Sequence, residues 1–158
     1  MHVWRLKEWK KQIDINRNGL KKGLRLHFDQ EVDPNVRQSI LDFAKWIRCE
    51  YEFPLRVNVY VKSSYRIKAK DGDLVVGTCW QPAGHEQLPY IRLATGDYCD
   101  LVAERGKEQA IWAILCSFTH ELTHYFQYIN GISLTDIGEE RQANFYAKNV
   151  LYDYYEQE

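Results

Sequence analysis

The chain has 158 residues, 27% of them charged, with a formal net charge of −1. That length supports one domain with a real core, and eleven Tyr and five Trp argue against disorder. Balanced charge gives no global reason to expect a nucleic-acid partner, and no run of about 18 apolar residues exists to span a membrane.

Residues 1–23 place Val3, Trp4, Leu6 and Trp9 among many charges, which suggests a short helix broken at Asn18-Gly19. Residues 1–25 hold eight Lys or Arg against Glu8 and Asp14, and a solvated basic face accounts for this. Leu24 to Phe28 alternates as a short strand, with His27 on its polar side. Asp33-Pro34 is a helix start, and Val36, Ile40, Phe43, Ala44 and Ile47 give that helix one apolar face as far as Tyr51. Leu55 to Val61 alternates strictly and carries the strongest strand signal. After a turn at Asp71-Gly72, Leu74 to Trp80 and Pro89 to Ala94 read as two more strands, joined by a loop that holds His85. Thr95 to Gly106 reads as a connector with room for a short helix.

The stretch from Lys107 to Asn130 is helical in pattern, and Gly131 stands where a glycine ends a helix. At 100° per residue, Ile111, Leu115, Phe118, Leu122, Phe126 and Ile129 form one apolar stripe. His120 and His124 fall on the other side, with Ala113, Cys116, Ser117 and Gln127. These histidines belong to His120-Glu121-Leu122-Thr123-His124, the H-E-x-x-H pattern. Residues four apart lie one turn apart, so both imidazoles can face one ion. Glu121 projects beside them, where it can take a proton from an activated water. This is the zinc-protease arrangement.

A catalytic zinc takes a third protein ligand. No histidine follows the motif, so the acids Asp136, Glu139, Glu140 and Asp153 are the candidates. A final helix runs from Asp136–Gly138 to about Tyr155. On it Glu140, Ala143, Asn144, Ala147 and Leu151 share a face, with the alanines permitting close approach and Asn144 placed to orient a ligand. Glu139 points about 100° away. Glu140 is therefore favoured over Glu139, although both also complement the helix dipole.

The H-E-x-x-H motif followed by Glu140-Arg141-Gln142-Ala143-Asn144-Phe145-Tyr146-Ala147 and Val150-Leu151 resembles the ImmA/IrrE-like branch of zincin metallopeptidases. The resemblance covers residues 111–151 and implies Glu140 as third ligand beside His120 and His124. It also implies a regulatory protease acting on a repressor-type partner. The expected fold is α+β, one zincin-like domain over residues 1–158. A small twisted mixed sheet would pack against an N-terminal helix and the metal-binding helix, with the C-terminal helix supplying the third ligand.

The expected activity is zinc-dependent (Zn2+) endopeptidase action on a protein or peptide, with Glu121 as base. A catalytically idle zinc-binding protein-interaction module is the alternative, but such a module needs no base at Glu121. A nucleic-acid role for the basic N-terminal segment rests on charge alone. Tyr125, Tyr128, Tyr146 and His85 are candidate oxyanion donors. Cys49, Cys79, Cys99 and Cys116 make no C-x-x-C pair, and the basic start lacks an apolar signal-peptide core. A reduced, cytoplasmic setting is the matching expectation.

Overall fold

A computed structural model describes residues 1–12, 21–83 and 87–157. Asn18-Gly19 and His85 lie outside the described residues. The fold is α+β, built on a mixed four-stranded sheet of order β1-β2-β6-β5. Its first parallel pair joins β1 (Leu24–Phe28) to β2 (Val57–Lys62), with Leu24 opposite Val57 and Phe28 opposite Val61. The crossover between them is α2 (Pro34–Glu50). Asp33 starts α2, its carboxylate accepting from the Asn35 N–H at 2.8 Å.

On the other side of β2 lies β6 (Tyr90–Ala94), also parallel. The antiparallel β5 (Gly77–Trp80) closes the order as an edge strand. The expected strand Leu74 to Trp80 is in fact broken. Leu74–Val75 forms β4, which pairs with β3 (Ile67–Lys68) in a separate two-stranded hairpin. Gly72, at φ 90°, shapes the turn between them. The chain changes partners at Val76, whose carbonyl accepts from the Ala94 N–H. The segment therefore serves two sheets in turn.

Helices cover one face of the larger sheet. Val57, Val59, Val61, Ile91 and Leu93 are fully buried and form one cluster with Val36, Ile40, Phe43 and Ile47 of α2. Burying each such side chain contributes about 1.5–3 kcal/mol. The opposite face carries exposed or half-buried polar groups. On it His27 stacks on Tyr60 and hydrogen-bonds Asn58, far in character from a metal ligand. At the N-terminus a 3-10 turn over Val3–Arg5 and one helical turn, α1 (Trp9–Gln12), stand in place of the expected short helix. The connector after β6 holds α3 (Tyr98–Arg105).

Gly106, at φ 84°, separates α3 from α4 (Lys107–Ile129). The stripe Leu115, Phe118, Leu122, Phe126 and Ile129 is at most 1% exposed. Ile111, at the outer end, is only half-buried. The sequence pattern suggests a second, open side to this helix. Instead Thr119, Glu121, Thr123, Tyr125 and Gln127 are buried too. The cause is that α4 is sandwiched: it touches α2, β5 and β6 as well as α5 (Asp136–Glu156). It ends in a Schellman turn, where Gly131 at φ 64° lets the Ile132 N–H reach the Gln127 carbonyl at 3.0 Å. Four residues after Gly131, Thr135 caps α5 by accepting from the Gly138 N–H. Ala143 and Ala147 keep the two helices close enough for the Thr119 hydroxyl to reach the Ala147 carbonyl at 3.3 Å.

Candidate metal centre

Where α4 faces α5, His120 and His124 remain partly accessible, with side chains 19% and 12% exposed. Their Nε2 atoms lie 3.2 Å apart. The Glu140 carboxylate closes the group from α5, with Oε2 3.1 Å from His120 Nε2 and Oε1 2.9 Å from His124 Nε2. These three residues offer ligand atoms within 4.8 Å of one another and could hold a metal ion. Two imidazole nitrogens turned toward each other repel unless a cation or a proton sits between them, and a carboxylate at the same point adds to the need for one. Glu139 is not part of this group; its backbone carbonyl is used instead, as an acceptor from α4.

Each histidine has a partner behind it. His120 takes a side-chain hydrogen bond with Asn144, one turn beyond Glu140. Burial and the neighbouring His124 lower the His120 pKa, against the opposing pull of Glu140 and Asn144. The net lowering favours the neutral ring, the form that binds metal. His124 Nδ1 lies 2.8 Å from Gln127 Oε1. Sequence reasoning placed Gln127 on the histidine side but gave it no part. Its signal was there: a lone amide within Tyr125-Phe126-Gln127-Tyr128-Ile129, which has otherwise only apolar and aromatic side chains.

Glu121 occupies the other flank, 4.0 Å from His120 Nε2 and 8% exposed. It packs on Gly77 of the edge strand: a Cβ at Gly77 would stand 3.1 Å from Glu121 Cγ. Burial raises the Glu121 pKa from 4.5 to about 7, with His124 opposing and Glu140 adding to the rise. A carboxyl poised near neutrality beside a cluster of metal-ligating type is what a general base requires. Cys79 lies on the same strand, and burial together with Glu121 pushes its thiol up, so it stays protonated.

Of the candidate oxyanion donors, all three tyrosines already donate to backbone carbonyls. The Tyr125 hydroxyl donates to the Leu55 carbonyl in the core, and the Tyr146 hydroxyl bonds the Met1 carbonyl. Tyr128 holds the Pro82 carbonyl at 2.9 Å, just beyond the end of β5. Thr123, inside the motif, turns to the core and accepts the Trp4 indole N–H at 2.9 Å.

No family model matches the chain, and neither the curated proteins nor the solved structures contain a match to it. All four cysteines are free thiols, and among the described residues no helix is long and apolar enough to cross a membrane.

Proposed function

We propose that this chain is a zinc-dependent metalloendopeptidase of zincin type, kin to the ImmA/IrrE-like branch. The observation that carries the reading is the buried Glu121 carboxyl beside the His120–His124–Glu140 group. A metal site built only to bind gains nothing from a second acid held out of water beside the His120–His124–Glu140 group. Zinc is the metal the donor set suits. Two imidazoles and one carboxylate are a common catalytic set, and ligands about 2.05 Å from a tetrahedral metal stand about 3.3 Å apart. The separations of 2.9 to 3.2 Å here lie close to that spacing.

His120, His124 and Glu140 would hold the ion. Bound there, zinc would supply Lewis acidity toward a peptide carbonyl and acidify a water. Glu121 then takes the proton from the attacking water and gives it to the leaving amine. Its raised pKa suits both tasks, because the group must accept and release a proton near neutral pH. β5 lies alongside as the end strand of the sheet, with no strand on its outer edge among the described residues. An extended peptide can add to that edge through backbone hydrogen bonds, placing its carbonyl near Glu121. The substrate class is thus a protein or peptide in extended form, and a repressor-type partner would fit this mode.

The test has two parts. The purified protein should bind about one zinc per chain, as the one group of three ligands among the described residues requires. Glu121→Gln should keep that zinc and lose hydrolysis of an unfolded protein substrate. Failure to bind zinc after reconstitution would end the proposal. Zinc binding without hydrolysis by the unaltered protein would put the catalytically idle interaction module in its place.

A further inference from the structure

We infer that Gln127 is a positioning residue that sets the His124 ring and the Glu140 turn with one side chain. Gln127 is 2% exposed, so each polar atom of its amide needs a protein partner. Its Nε2 group has two hydrogens and two acceptors. One is the Glu139 carbonyl at 3.0 Å and the other is Gln142 Oε1 at 2.9 Å. A carbonyl oxygen can only accept, so the amide nitrogen must face α5. That orientation leaves Oε1 turned to His124 Nδ1 at 2.8 Å. An amide oxygen cannot donate. His124 Nδ1 must therefore carry a hydrogen, which commits Nε2 to the side where His120 and Glu140 converge.

The two bonds on α5 land at Glu139 and Gln142, on either side of Glu140. One buried amide thus braces a ring on α4 and the turn of α5 that presents the third carboxylate. Such partners of metal ligands typically change metal affinity about 10–100-fold when removed. The amide could instead serve only to tie two helices together. The two roles separate by substitution. Gln127→Leu removes the acceptor for His124 and both donors to α5. Gln127→Glu keeps an acceptor for the His124 Nδ1–H but sacrifices at least one of the donors. The inference rests on the metal-site reading for its affinity arm, while the ring-proton arm needs no metal.

The experiment uses the full chain and zinc alone as probe. In the unaltered protein, NMR should detect a slowly exchanging His124 Nδ1 proton with and without zinc. Gln127→Leu should lose that signal and bind zinc about 10–100-fold more weakly, while circular dichroism shows the fold retained. Gln127→Glu should keep the signal and bind zinc more tightly than Gln127→Leu but more weakly than the unaltered protein, because the ring acceptor is kept while the bracing of α5 is reduced. Equal loss of affinity in both variants would reduce Gln127 to a tie between helices and overturn the inference. So would a Gln127→Leu protein that keeps the Nδ1 proton and binds zinc as before. If Gln127→Leu fails to fold, loss of the ring proton in Gln127→Glu overturns it alone. Absence of zinc binding in the unaltered protein would defeat the metal reading, and the ring proton would still judge the orientation of His124.

Discussion

Replacing Glu121 by glutamine should make the metal-free protein more stable, and more so as pH rises. Glutamine has the same size and hydrogen-bonding reach but no charge to bury. The carboxyl stands at about 7 in the folded chain against 4.5 ordinarily. A group held above its unfolded value keeps its full stability below the unfolded pKa and loses it as pH rises through the folded one. Relative to glutamine, the deficit should therefore be under about 1 kcal/mol at pH 5 and approach ~3 kcal/mol at pH 8. Urea denaturation with a chelator present, at both pH values, measures this directly. Saturating zinc should shrink the gap, because a neighbouring dication favours the carboxylate. Equal stability of the two proteins at pH 8, or a gap that does not change with pH, would refute the burial of Glu121 as a charge-sensitive group.

Gly77→Ala should lower turnover without changing zinc affinity, since the new methyl meets Glu121 Cγ at 3.1 Å and no ligand atom; steady-state kinetics alongside a zinc titration tests this. Glu140→Ala should weaken zinc binding by at least about tenfold while Glu139→Ala leaves it within about threefold, because only Glu140 reaches the histidines. A chelator-competition titration distinguishes the two. Thr123→Val should cost about 2 kcal/mol by orphaning the buried Trp4 N–H. Zinc affinity should stay unchanged in that variant, as thermal unfolding and the same titration would reveal.

Helical periodicity carried the sequence reading furthest. The spacing of His120 and His124 put both on one face, and helical phase favoured Glu140 over Glu139, with the family resemblance pointing to the same carboxylate, because a helix fixes which side chains share a face. None of this was enough to say what covers that face. The apolar stripe of α4 was legible, yet the burial of Thr119, Thr123 and Gln127 was not, since it depends on α5 and on the N-terminal turn, which are packing partners rather than neighbours in sequence. The strand Val57–Lys62 could be read from its alternation, but not its parallel pairing on both sides, because strand partners and register are set by non-local contacts. The break at Val76 was hidden for the same reason: Leu74 to Trp80 looks continuous until two different sheets claim its halves. Gln127 escaped because an amide has no fixed role in a pattern; its role follows from three distances that only the folded chain supplies.

The αα-hairpin of α4 and α5 carries every residue of the proposed ligand set, with a short loop between the helices. Ligands so near in sequence bring a small loop-closure cost, so the site can assemble as soon as this hairpin forms, without waiting for the parallel sheet, whose pairings are long-range and slow. The coupling runs the other way as well. An ion gripping both helices stabilises the protein by mass action, and that gain falls on the docking of α5 rather than on the sheet. The final helix would then be the element whose opening responds most to metal supply, and the same joint that completes the centre would be the one that gives way first when the ion is withdrawn.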